Sequence, residues 1–210
     1  DGLALKMVDI SEPRFRTLEN SQEVVNAVEA GITPRTRFLT ICHINYTDGF
    51  VMPVKEICDL ARAKGIITLV DGAQPPGMMK LDLHELGCDM YAAAGHKYML
   101  AAQHTGFLYV REDAADRVQP LVYTGSPDSD MSGAGKLEQR GSSSYSDRIA
   151  MGAALDFHNH LTREAVEARL RYLTQRLIKG LKAVEGVTVY ASDNPRNSCA
   201  LVSFNIRDKK

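Results

Sequence analysis

The sequence predicts an α/β protein: a mostly parallel sheet with helices on both faces, followed by the start of a smaller α+β domain. Three observations carry that expectation. Residues 66–70, Ile-Ile-Thr-Leu-Val, form an apolar, β-branched run without polar alternation, the pattern of a strand buried on both faces. An amphipathic stretch opening at Pro53 and another apolar run over 37–44 precede it, so strand, helix and strand alternate at the length of a right-handed βαβ unit. Between Tyr91 and Phe107 no amphipathic helix intervenes, so the strand entering at Phe107 is expected to run antiparallel to a neighbour.

Taken in order, residues 3–9 alternate weakly and are expected to form a first strand. Ser21 is a candidate N-cap for a helix with Val24, Val25 and Val28 on its apolar face and Gly31 just past its end. Pro53 suits the first turn of the next helix; Val54, Ile57, Cys58, Leu60 and Ala61 form its apolar face, and Gly65 stops it. Residues 89–93 read as a short strand running into Gly95-His96-Lys97. Residues 124–144, rich in Ser, Gly and Asp, read as a long loop. A helix is expected over 148–158 and a longer one over 162–184, with Ala165, Leu170, Leu173, Leu177 and Leu181 on its apolar side. Strands over 187–190 and 200–206 fall in the second domain. The division expected is 1–158 for the large domain and 159–210 for a linking helix and the start of the small one.

The totals exclude several classes. A net charge of -1 gives no electrostatic reason to expect nucleic acid or an anionic membrane as partner. No apolar stretch reaches membrane-spanning length, and the first residues lack a signal-peptide pattern. Cys42, Cys58, Cys88 and Cys199 are scattered, which suits reduced thiols in a cytoplasmic protein and implies no metal site. His158-x-His160 offers two ligands at most, too few for a metal centre. Gly133-Ala134-Gly135-Lys136 lacks the spacing of a phosphate loop and has no buried strand before it.

Ligands in open α/β sheets sit beyond the carboxyl ends of the strands. The 66–70 run stops at Asp71 and the 89–93 run leads to Lys97, so a carboxylate and an amine are delivered to what is expected to be one rim. Asp71 has two readings of equal weight on local sequence: a ligand-binding acid, or a cap on the Asp-Gly turn. Lys97 lies between apolar neighbours, unlike an ordinary solvated lysine.

Five landmarks in order extend this: His43 with Gly49 and Pro53-Val54; Asp71-Gly72-Ala73-Gln74; Gly95-His96-Lys97; the strand-like 105–110; and Glu138-x-x-Gly141-Ser142. Together they resemble the class V aminotransferase family of pyridoxal-phosphate (PLP) enzymes of fold type I, which also holds cysteine desulfurases, isopenicillin N epimerase-like enzymes and kynureninase. The resemblance implies PLP as cofactor, Lys97 as the Schiff-base lysine, and Asp71 as a buried carboxylate facing the pyridine nitrogen. It further implies Gln74 on the ring's phenolic oxygen and His96 on the phosphate. Gly141 and Ser142 correspond to a Gly-Thr pair that reaches the other subunit's phosphate in family dimers, so a homodimer is implied. Ala94 stands where the family often has Ser, which removes one hydroxyl donor. A small amino acid is the implied substrate, with epimerase, lyase or aminotransferase chemistry, or cysteine desulfuration as the alternative. A non-catalytic α/β remnant is the reading from another class. Tyr46 stands where desulfurases have Asn, and a buried structural role is the plain expectation for His43. By ordinary two-domain sizes the chain corresponds to about half of such an enzyme.

Overall fold

The computed structural model describes residues 2, 4–10, 21–122, 132–138 and 144–207. A four-stranded sheet lies at its centre, in the order β1 (Phe38–Cys42), β2 (Ile67–Asp71), β3 (Met90–Ala94) and β4 (Gly106–Val110). β1, β2 and β3 are parallel, and β4 pairs antiparallel with β3. The antiparallel strand follows from its connection: residues 95–105 turn back without the crossover helix that a parallel strand requires.

Helices α1 (Gln22–Gly31) and α2 (Val54–Ala63) cover one face of the sheet, with the single-turn α3 (Leu83–Leu86) beside them. The valines of α1 and Val54, Ile57 and Cys58 of α2 pack there with Val70 and Tyr91, and Leu39, Ile41 and Tyr109 lie against that cluster. Each fully buried side chain of that size contributes about 1.5–3 kcal/mol by leaving water. The opposite face, which carries Thr40, Leu69, Asp71 and Ala92, is more open: Phe38 and Leu108 are 49% and 48% exposed.

Helix α4 (Tyr145–Leu161) and helix α5 (Arg163–Lys182) follow, separated at Thr162, whose φ of 60 breaks the helical path. The two-stranded sheet of β5 (Val187–Val189) and β6 (Phe204–Ile206) ends the described chain.

Several expectations need correction. Residues 4–9 form no strand; they carry no regular structure. Ser21 has helical backbone angles and caps nothing with its side chain, which instead donates to Asn197 Oδ1 at 3.3 Å. Gly31 is the last residue of α1, not the one beyond it. Pro53 stands one place before α2, at its N-cap. Within the expected loop over 124–144, Ala134–Glu138 forms a 3-10 turn. On α5 the buried residues are Thr174 and Ile178, while Leu173 and Leu177 are exposed. A polar residue faces inward because its hydroxyl is satisfied twice: Thr174 Oγ1 donates to Leu170 O at 2.8 Å and accepts from Ala200 N at 2.8 Å. The strand expected over 200–206 is confined to its last three residues, and Ala200 has a φ of 60.

Candidate active site

Asp71 is the last residue of β2 and pairs in register with Cys42 of β1 and Ala92 of β3. Side chains alternate along a strand, so Asp71 points to the open face and Gly72 to the helix-covered one. The carboxylate is exposed rather than buried, because that face carries so little cover at its carboxyl end. Asp71 Oδ1 accepts from Ala73 N at 2.9 Å, so the turn-capping reading is realised. That bond occupies one oxygen and leaves the second for a ligand's N–H.

The main chain at this point is held from both sides. His43 N donates to Asp71 O at 2.9 Å, and Gly72 N donates to Ala92 O at 2.7 Å. Beneath the turn lies Tyr91, fully buried, with its hydroxyl 3.0 Å from His43 Nδ1. A Cβ on Gly72 would stand inside the Tyr91 ring, so only glycine lets the turn sit that low.

The lysine segment packs against the chain downstream of the aspartate turn. Gly95 N donates to Thr105 O at 2.9 Å, Ala101 N to Gly95 O at 2.9 Å and Leu100 N to Lys97 O at 2.9 Å, which closes residues 95–105 into a compact loop. Gly77, at a φ of 84, packs against the backbone of Tyr98 and Met99; a Cβ there would overlap the Tyr98 carbonyl. The chain after Asp71 therefore touches, at Gly77, the loop that holds Lys97. Lys97 and Gln74 are half-buried and His96 is exposed. Among the described residues the Lys97 amine enters no ion pair.

Gly95 leaves no room for a side chain. The volume a Cβ would take is filled by Thr105 and by Met151 of α4 rather than left open for a ligand. Gly77 and His158 are the residues that the sequence reading missed. His158 Nε2 donates to Tyr98 O at 3.1 Å and fastens α4 to the lysine loop. No short-range pattern links it to Tyr98, 60 residues away. Gly141 and Ser142 lie outside the described residues.

Asn45 Oδ1 accepts from Thr47 N and Thr47 Oγ1 at 3.2 and 2.9 Å, so its side chain serves its own turn, and Tyr46 is 76% exposed. His43 is 4% exposed, and burial pushes its imidazole down to about 4. A histidine in an unfolded chain titrates near pH 6.5, so below that the unfolded state binds a proton the native state refuses. The stability is complete above about pH 6.5 and is lost progressively towards pH 4, on the order of 3 kcal/mol for a displacement of this size. Urea midpoints at about pH 7 and pH 4.5 are expected to show that drop, and His43→Asn to shrink it. An equal drop in the variant would remove His43 as the cause.

The four thiols are poor nucleophiles. Burial pushes Cys58 and Cys199 up to about 11 and Cys88 to about 12, and it raises Cys42 too, with help from the Asp71 charge. Among the described residues no cluster of three or more metal-ligating side chains occurs, and no helix is long and apolar enough to cross a membrane.

The sequence pattern of the family described as Aminotransferase class-V matches residues 8–210. Isopenicillin N epimerase from Streptomyces clavuligerus is 32% identical over 198 residues, covering 88% of this chain and 50% of its own. A probable cysteine desulfurase from Halalkalibacterium halodurans is 34% identical over 191 residues, covering 88% and 46%. Among solved structures, apo cysteine desulfurase from Thermococcus onnurineus NA1 superposes with a TM-score of 0.79 at 25% identity, over 88% of this chain and 48% of that one. A C-DES mutant with glycine covalently linked to its PLP cofactor gives 0.77 at 27% identity, over 87% and 50%. The chain spans about half the length of the curated relatives it matches. The resemblance drawn from the five landmarks is borne out, and with it the α/β fold of type I.

Proposed function

Because this chain belongs to the class V aminotransferase family, whose members are PLP-dependent enzymes, we propose that it carries the cofactor-holding half of an enzyme acting on an amino acid. The observation that supports this most is half-buried Lys97, which enters no ion pair among the described residues, on a loop packed against Gly77, downstream of Asp71. The donor set suits the group: an amine for an aldehyde, a carboxylate for a pyridine N–H, an amide for a phenolic oxygen and an imidazole for a phosphate. Bound PLP supplies an electron sink for the bonds at the substrate's Cα.

In this reading Lys97 would hold the cofactor through its amine and, once freed by substrate, would carry the proton at the substrate's Cα. Asp71 holds a proton on the ring nitrogen through its second oxygen. Gln74 donates to the phenolic oxygen and His96 to the phosphate. Gly141 and Ser142 complete the phosphate site of a partner subunit, which makes the working form a homodimer, and the protein is cytoplasmic. Residues 1–158 form the large domain and 159–210 lead into the small one.

The chemistry proposed is epimerase, lyase or aminotransferase chemistry, with cysteine desulfuration as the alternative; Tyr46, where desulfurases have Asn, supports that order. The test is made on the full-length protein loaded with PLP. Absorbance at the visible edge and borohydride fixation of the label on the Lys97 peptide are expected. A colourless protein, or a label on another lysine, overturns the reading in favour of a non-catalytic remnant.

A further inference from the structure

We infer that Tyr91 and His43 are positioning residues that aim the Asp71 carboxylate, by seating the Asp71–Gly72 turn on a buried ring clamped between β1 and β3. The inference rests on the cofactor reading above but concerns side chains that reading leaves unused. Tyr91 is fully buried as the second residue of β3, and His43 is the residue after β1. Their side chains meet through the 3.0 Å hydrogen bond on the helix-covered face, while Asp71 projects from the open one.

Alternation along the strand connects the two faces. Gly72 has no Cβ and rests on the Tyr91 ring, where any side chain would overlap Cε1 and Cζ. With Gly72 held down on that face, its predecessor must project to the other. The same turn is gripped on its main chain by His43 N at Asp71 O and by Ala92 O at Gly72 N. His43 thus acts twice, through its backbone on Asp71 and through its ring on Tyr91. Phe107 stacks on Tyr91 at 6.4 Å between centroids and 13° between planes, which stops the ring from tilting away. Three strand ends are joined by one buried pair directly under the carboxylate.

Three full-length variants test this. Tyr91→Phe keeps the ring and loses the hydroxyl, His43→Leu loses the partner, and His43→Asn keeps a polar atom near the Nδ1 position. Amide hydrogen exchange is followed without PLP, and the pH midpoint of the visible band is followed with PLP bound. Tyr91→Phe and His43→Leu are expected to speed exchange at Gly72 and Ala73 by about tenfold relative to Leu69 and Val70. Both are expected to move the pH midpoint by about half a unit or more, because the charge next to the ring nitrogen is re-aimed. His43→Asn restores both to near wild type. Exchange that is unchanged, or that rises evenly along β2, overturns the proposal. So does an exchange gain confined to the turn with an unmoved midpoint. A wild-type chain that takes up no PLP sinks the cofactor reading instead, and the exchange arm then decides alone whether the pair holds Asp71.

Discussion

Replacing Lys97 with alanine is expected to abolish covalent fixation of PLP and to slow turnover of the amino-acid substrate by about a thousandfold or more, the scale of a lost proton carrier together with a lost nucleophile. The protein itself is expected to fold as before. Lys97 is half-buried and among the described residues its amine enters no ion pair, and replacement of such a residue costs within about 0.5 kcal/mol. A second variant separates chemistry from charge. Lys97→Arg keeps the cation, yet a guanidinium stays protonated and offers no free amine to an aldehyde. If Lys97 merely neutralises a phosphate, Lys97→Arg retains most activity. If its amine does the chemistry, both variants fail equally. Peptide mapping after borohydride, single-turnover rates and urea midpoints on the three proteins decide it. A Lys97→Ala enzyme within about tenfold of wild type would end the role assigned to this residue.

What was legible in the sequence was local. The 66–70 run announced β2 because strand propensity and apolarity coincide over five adjacent residues, and the missing helix between Tyr91 and Phe107 announced the antiparallel β4. The motif order carried the family, since Asp71 and Lys97 sit at the ends of neighbouring strands by the logic of the fold. What was hidden was the consequence of packing. Helical spacing on α5 fits a leucine stripe as well as the Thr174–Ile178 face, and only the carbonyl of Leu170 and the amide of Ala200 make the threonine the inward choice. The resemblance implies a buried Asp71, yet the residue is exposed, because burial depends on what covers the open face. Tyr91 and His43 are 48 residues apart, and no short-range pattern links them. Ser21 shows the reverse error: a good capping residue by type, spent instead on Asn197.

The same lesson gives the largest expected loss of stability, at the end of the sheet away from Asp71. Asp89 is buried just before β3, and its carboxylate ties three strands together. Oδ2 accepts from Thr68 N at 2.7 Å and from Thr68 Oγ1 at 2.9 Å, while Oδ1 accepts from Arg111 Nη2 at 2.6 Å. Asp89 N returns a bond to Thr68 Oγ1 at 2.9 Å, and Arg111 N donates to Asp89 O at 2.8 Å. Arg111 also reaches Asp113 and, at 3.2 Å, Gly87 O. Removing one partner of a buried, fully bonded charge leaves the others stranded, so Asp89→Ala is expected to cost about 3–5 kcal/mol. That is a large share of the ~5–15 kcal/mol that holds an ordinary domain together. Thr68→Val keeps the shape and loses the hydroxyl, and its cost is expected to be smaller, about 1–3 kcal/mol. Because the two residues share one network, the double variant is expected to cost less than the sum, with a coupling of about 1 kcal/mol or more. Urea midpoints at constant slope measure all three. Additive losses, or an Asp89→Ala cost below about 1 kcal/mol, would mean that water replaces the carboxylate and that the strands are held by their ladders alone.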